Sequence, residues 1–172
     1  MKRLTAFLLL FLMLFSLCAC SQEKEIVYPV TYHYLRSPLP GDEISHGAAD
    51  SVIATDVRDG NGYQNDYTYL LDIYLLGPLD RNCRSPFPVG TNLKNLSLEN
   101  GAATILLSDD FAELSGIDLT LACSCLTLTV MDMTGVESVT IRAEDSLLDG
   151  KESITMDASM LILVDHATPA TE

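Results

Sequence analysis

The chain has 172 residues, and its 24 aspartates and glutamates outweigh 10 lysines and arginines to give a formal net charge of -14. This length suits one domain with its own hydrophobic core rather than two. A surface this acidic repels the phosphates of nucleic acids and of anionic lipid headgroups, which argues against a nucleic-acid partner and against broad contact with headgroups.

The N-terminus has the pattern of an export signal. Two basic residues precede an almost purely apolar run from Ala6 to Leu17, which is shorter than the roughly 20 residues that span a bilayer and fits a signal peptide. The run ends in Leu17-Cys18-Ala19-Cys20, which resembles the lipobox of bacterial lipoproteins. Residues 1–19 are therefore predicted to be a lipoprotein signal peptide, with Cys20 as the acylated first residue of the mature protein. The alternative is an ordinary signal peptide followed by a chance cysteine.

Lipid on Cys20 predicts the location and layout of the mature protein. Two or more acyl chains hold a protein on a membrane where one does not, so we expect it at the cell membrane, lipid-anchored on the extracytoplasmic face. Residues 20–26 would form a lipidated stalk, 27–165 one folded domain and 166–172 a flexible tail. Loss of Lys2 and Arg3 with the signal peptide leaves 8 basic against 24 acidic residues, a net charge of -16. Such a charge favours a monomer in isolation, because self-association brings like surfaces together.

Two strands, a turn and a helix are predicted in the first half of the domain. Val27 to Leu35 and Val52 to Val57 have strand-like composition, and turn-forming residues follow at 59–62. Asp66 to Leu76 carries the strongest helix signal, with a cap at Asn65 or Asp66 and a stop at Gly77-Pro78. Its predicted core face is Tyr67, Leu70, Leu71, Tyr74 and Leu75, which recur at helical spacing.

A tight hairpin is predicted next. The strand through Leu93, Leu96 and Leu98 leads to Asn100-Gly101, the preferred pair for a two-residue turn with positive φ, and Ala103 to Leu107 returns. Ser108-Asp109-Asp110 resembles a helix N-terminus with a hydroxyl cap, which predicts a short helix from Asp109 to Leu114.

The segment from Ile117 to Met133 is ambiguous by pattern alone. Its apolar residues alternate as in a strand, yet Ile117, Leu121, Cys125 and Leu128 also fall on one helical face, and Gly135 is a plausible C-cap. Beyond it, Val136 to Ile141 is predicted as a strand, and Ile154 to Val164 as further β structure after an Asp149-Gly150 turn.

From about Val30 to Asp145, this order of segments resembles the GerMN domain, named for a spore-germination and sporulation lipoprotein. Four stretches carry the resemblance: Leu70 to Pro78, which ends in Gly-Pro; Ser85 to Thr91, which contains Pro-x-Gly-Thr; Leu96 to Phe111, which ends in Leu-Ser-acid-acid-Phe; and Leu126 to Thr129 followed by Gly135 to Ile141. The resemblance implies an α/β fold of the α+β type, a small two-layer sandwich with a mixed sheet packed by two main helices. It favours helix for Ile117 to Met133, and it implies kinship with the modules that build rings in envelope secretion machines.

The predicted core draws on the Asp66–Leu76 helix, the hairpin, the short helix after it, the Ile117–Met133 segment and the Val136–Ile141 strand. It consists of Leu70, Leu71, Tyr74, Leu96, Leu98, Ile105, Leu107, Phe111, Leu121, Leu128, Val139 and Ile141.

No catalytic, cofactor or metal constellation is predicted. His33, His46 and His166 are scattered along the sequence, and no nucleophile-elbow or zincin motif occurs in it. Cys83, Cys123 and Cys125 are interpreted as small buried thiols, with a disulfide from Cys83 as the alternative. Cys123-Ser124-Cys125 lacks a second zinc ligand pair. The possible calcium ligands Asp56, Asp59, Asn61 and Asp66 fail the EF-hand order and are interpreted as a solvated acidic loop.

We therefore expect a noncatalytic, lipid-anchored interaction domain with a protein partner in the envelope. The resemblance implies a role in sporulation, germination or cell-envelope assembly. A lipoprotein that binds wall glycan or a small ligand is the alternative, and an enzyme of unrecognised class is the third hypothesis.

Overall fold

The computed structural model describes residues 26–37 and 52–161. The predicted signal peptide, Cys20 and the predicted tail therefore lie outside the described residues. The elements in chain order are β1 (Pro29–Arg36), β2 (Ile53–Asp59), α1 (Tyr67–Leu75), β3 (Cys83–Arg84), β4 (Leu93–Glu99), β5 (Ala102–Leu107), a 3₁₀ helix (Asp109–Glu113), α2 (Gly116–Thr134), β6 (Ser138–Ala143) and β7 (Ile154–Asp157).

The strands form two sheets, and the α+β class is as predicted. An antiparallel sheet has the order β2-β1-β3, and a mixed sheet has the order β4-β5-β6-β7. β5 and β6 are parallel, so the chain must cross from one end of the sheet to the other between them, and α2 supplies that crossover. α2 packs against β1 on the first sheet and against β6 and β7 on the second.

The two strongest local predictions are confirmed. Asp66 is the N-cap of α1 and accepts a hydrogen bond from the Tyr69 amide, and the chain leaves the helix at Gly77, whose φ is +104°. The hairpin turn has Asn100 and Gly101 with φ of +50° and +76°. Positive φ at both central residues is what a tight hairpin with right-handed strand twist requires.

The ambiguous segment is helical throughout, as α2. Its hydroxyls do not break the helix because Thr120, Ser124 and Thr134 each bond to the carbonyl four residues earlier. Gly135 ends it in the left-handed conformation, as predicted. By length and composition α2 could cross a membrane, but its place between two sheets explains the apolar composition without one.

Most of the predicted core is confirmed, with one correction. Eight of its members are buried: Leu70, Leu71, Tyr74, Ile105, Leu107, Phe111, Val139 and Ile141. Leu96, Leu121 and Leu128 are partly buried against the core. Leu98 was predicted wrongly, since it is 39% exposed. It lies on the edge strand β4, one residue from the end of that strand and beside the turn, where one flank of its side chain faces solvent.

The last predicted strand is shorter than expected. β7 ends at Asp157 because the Asp157 carboxylate accepts hydrogen bonds from the Ser159 and Met160 amides. Those bonds fold the chain into a turn and compete with continued extension. Residues 162–164 of the predicted segment lie outside the described residues.

Side chains from both helices hydrogen-bond to the backbone of β1 where no strand pairs with it in the described structure. β1 pairs with β3 only at Leu35 and Arg36, so among residues 26–37 and 52–161 no strand pairs with its earlier residues on that side. The His33 amide donates to Thr129 Oγ1 of α2 at 2.9 Å, and the His33 carbonyl accepts from the Tyr74 hydroxyl of α1 at 2.6 Å. The backbone of β1 is thus satisfied by helix side chains where a neighbouring strand would otherwise be needed.

Candidate functional site

The three described cysteines are buried thiols without disulfides, as interpreted from the sequence. Burial raises the pKa of Cys123 and of Cys125 to about 12, and it also raises the pKa of Cys83. The thiolate is the form that attacks substrates and binds metals. These side chains therefore serve packing at neutral pH.

His33 pairs with an aspartate of α2. Its Nε2 lies 2.7 Å from Asp132 Oδ2, which joins β1 to the last turn of α2. His46 and His166 lie outside the described residues. Within 26–37 and 52–161, no three His, Cys, Asp or Glu side chains are grouped so that they could hold a metal ion.

The interpretation of the acids around the 59–62 turn as a solvated loop is wrong for Asp56, which lies in β2 and is 6% exposed. Asp56, Asp59 and Asp66 each have separate structural partners. Asp56 Oδ2 accepts from the Leu79 amide at 2.8 Å and pairs with Arg58. Asp59 Oδ1 accepts from the amides of Tyr28 and Asn61, while Asp66 caps α1. These bonds hold the turn and the ends of α1 in place.

The predicted hydroxyl cap at Ser108 is wrong. Ser108 occupies the N-cap position of the 3₁₀ helix but makes no side-chain capping bond. Its hydroxyl instead donates to Asp110 Oδ2 at 3.0 Å and accepts from the Asn92 amide at 3.1 Å. A Cβ at Gly90 would lie 3.1 Å from Asp110 Oδ1, so the Pro-x-Gly-Thr loop packs closely against this acid.

A buried ion pair that the sequence analysis missed lies under the C-terminal end of α1. Arg58 Nη2 is 2.8 Å from Asp56 Oδ2 and donates to the Gly77 carbonyl at 2.6 Å. The guanidinium also stacks over the ring of Tyr32, 4.9 Å from its centroid. A cation suits this place because the last carbonyls of a helix carry partial negative charge. The pair therefore fixes where α1 ends relative to β2.

A largely apolar groove lies beside α1 on the described surface. It has a volume of about 400 Å³ and is lined by Tyr69, Asp72, Ile73, Leu75 and Leu76 of α1 and its C-cap, and by Thr91 and Asn92 of the following loop. We call it the α1 groove. Leu76 is 87% exposed, which is unusual for a leucine next to a helix that packs on the core.

The α1 groove exists because α1 has a second apolar stripe. Tyr69, Ile73 and Leu76 follow the spacing i, i+4 and i+7, which places them on one side of a helix, away from the buried face formed by Leu70, Leu71 and Tyr74. A helix that is apolar on most of its circumference is ordinarily covered on most sides. α1 is covered on one side only within the described structure.

Polar groups stand at the edges of the α1 groove. Burial, and then the nearby Asp66 carboxylate, raise the pKa of Asp72. Thr91 is 8% exposed, and its Oγ1 has no hydrogen-bond partner among the described residues. At the N-terminal end, the exposed rings of Tyr63 and Tyr69 stack with centroids 4.0 Å apart. The groove therefore combines apolar walls with a carboxylate, a buried hydroxyl and an aromatic pair.

A family model described as Germane, sporulation and spore germination, matches residues 43–149. No curated protein matches the sequence.

Among solved structures, the tandem GerMN domains of the sporulation protein GerM from Bacillus subtilis match with a TM-score of 0.54 and 16% identity, over 79% of this chain and 48% of that chain. This chain thus spans about half of the tandem protein. The first GerMN domain of the same protein matches with a TM-score of 0.45 and 15% identity, over 54% of this chain and 74% of that chain. At this identity the tandem match supports the fold alone.

Proposed function

This chain belongs to the Germane family of sporulation and spore-germination domains, and we propose that it acts there as a noncatalytic interaction domain held on the extracytoplasmic face of a cell membrane by lipid on Cys20. Its partner would be another envelope protein. The α1 groove carries this proposal, because it is an exposed apolar surface on an otherwise acidic domain. Contiguous exposed apolar surface commonly marks a protein-interaction site.

The anchoring part of the proposal predicts a complete loss of lipid in one variant. Cys20→Ser removes the sulfur through which the lipid would be attached, so we expect no incorporation of labelled palmitate and an unprocessed precursor. The measurement is metabolic labelling followed by electrophoresis. Cys18→Ser is the matched control, since Cys18 would leave with the signal peptide, and it should label normally. Normal labelling of the Cys20 variant would exclude this cysteine as the acyl site.

The partner-binding part is tested by placing a photo-crosslinking amino acid at Leu76 in the anchored protein. We expect a specific adduct with another envelope protein on irradiation of intact cells. Ile117 is the matched control, because it is also an exposed aliphatic residue, 69% accessible, but lies outside the α1 groove. Equal adducts from both positions, or none from Leu76, would contradict the proposal.

Wall glycan is the second candidate ligand, favoured by the exposed Tyr63–Tyr69 stack at one end of the α1 groove. Aromatic rings are apolar platforms with polar edges and suit amphipathic ligands. Sedimentation with purified wall glycan that is abolished by Tyr69→Ala would favour this candidate over a protein partner.

A further inference from the structure

We propose that the α1 groove receives a basic amphipathic helix of the partner, with apolar side chains against Tyr69, Ile73 and Leu76 and a lysine or arginine against Asp72. This inference rests on the proposed function and specifies the chemistry of the partner at the same site.

The shape of the α1 groove favours a helix as its occupant. Its main wall is an apolar stripe at i, i+4 and i+7, and rows of side chains three and four residues apart are what a second helix packs against when helices interdigitate. α1 has nine residues, or about 13 Å at 1.5 Å per residue. This length presents two to three turns to a partner helix, which is the usual extent of a helix-in-groove contact.

The charge around the α1 groove favours a basic partner. α1 contains no lysine or arginine, and the groove-lining residues include one acid, Asp72, and no base. Asp66 at the N-cap of α1 adds a second negative charge, near enough to raise the pKa of Asp72. Burial and the Asp66 charge disfavour the ionised form of Asp72. A lysine or arginine of the partner placed beside Asp72 would stabilise that ionised form. A second copy of this acidic chain would bring the opposite effect.

The test uses two designed helical peptides of 18 residues as probes. Both carry leucine along one face, and the remaining positions are lysine in one and glutamate in the other. Binding to the chain from Ser21 to Glu172, which retains every contact described above, is measured by fluorescence anisotropy at physiological salt. We expect the leucine–lysine peptide to bind and the leucine–glutamate peptide to bind at least about tenfold more weakly, because complementary charge discriminates between partners.

Matched variants locate the binding site. The double variant Tyr69→Ser/Leu76→Ser should weaken binding of the leucine–lysine peptide by about tenfold or more, since a few central contacts dominate such interfaces. Ile117→Ser/Leu147→Ser removes two other exposed aliphatic side chains and should change binding less than about twofold. Asp72→Asn should weaken binding by about threefold or more, against little change for the exposed Glu152→Gln.

The inference is overturned if neither peptide binds, if the glutamate peptide binds as tightly, or if the control variants lose as much affinity as the groove variants. Its failure is distinguishable from failure of the proposed function. An adduct at Leu76 whose crosslinked partner segment is acidic or lacks helical apolar spacing would overturn only the inference. Absence of any adduct there would instead count against the proposed function.

Discussion

Replacing Arg58 with methionine is expected to lower the free energy of unfolding by about 3–5 kcal/mol, because it leaves a buried carboxylate without its partner. The Asp56 side chain is only 7% exposed, so water cannot replace the guanidinium efficiently. The change also removes the donor to the Gly77 carbonyl and the cation stacked on Tyr32. Urea titration followed by far-ultraviolet circular dichroism measures the effect.

Lys94→Met is the matched control for that variant. Lys94 pairs with Glu144 at 3.2 Å, but the two side chains are 37% and 44% exposed. Exposed ion pairs contribute about 0–1 kcal/mol, so this variant should stay close to the parent. If Arg58→Met were no more destabilised than Lys94→Met, the buried pair would not hold the end of α1. The double variant Asp56→Asn/Arg58→Met should lose less than the sum of its single changes, because the two residues share one interaction.

Truncation of Tyr74 to alanine is the second change with a large expected effect, a loss of about 3–5 kcal/mol. The Tyr74 ring is fully buried. It stacks on Tyr32 with centroids 5.5 Å apart and meets the Phe87 edge at 5.2 Å, so alanine would leave a cavity between β1 and the Pro-x-Gly-Thr loop. The free energy of unfolding of a typical domain is only about 5–15 kcal/mol. Thermal unfolding of this variant should therefore begin at a temperature well below that of the parent.

A smaller change at the same position separates packing from hydrogen bonding. Tyr74→Phe keeps the ring but removes the hydroxyl that donates to the His33 carbonyl, which should cost about 1–3 kcal/mol. Tyr69→Phe, on the exposed side of the same helix, should change stability by less than about 0.5 kcal/mol. Equal stability of the two phenylalanine variants would mean that the Tyr74 hydroxyl does not support β1.

Local signals predicted those elements whose geometry is determined by their own residues. The cap and stop of α1, the Asn100-Gly101 turn and the end of α2 at Gly135 follow from single residues with narrow backbone preferences, and all are found. Periodicity could not decide between strand and helix for α2. A helix packed between two sheets is buried on several sides, so its polar residues no longer mark one exposed face. The prediction that Leu98 is buried was wrong for a related reason, because alternation of apolar residues does not distinguish an edge strand from a central one.

The groove and the ion pair depend on partners distant in sequence. Asp56 and Arg58 are two residues apart and therefore lie on one face of β2, which the sequence alone indicates. Their burial, however, depends on α1 packing over that face. The spacing of Tyr69, Ile73 and Leu76 is also visible in the sequence. The same helix carries a second and stronger apolar stripe that forms the core, however, and only the packing of α1 shows which of the two stripes stays accessible.

The way in which β1 is completed has a consequence for the order of folding. The amide of His33 bonds to a residue 96 positions later in the chain, and its carbonyl to one 41 positions later. Long-range contacts of this kind form late and slow the search for the native state. The first strand of the domain can therefore finish its hydrogen bonding only after α2 has docked. A partly synthesised chain that has not yet reached Thr129 would expose unpaired backbone groups of β1. Unpaired strand edges of this kind tend to pair with strands of other chains and aggregate.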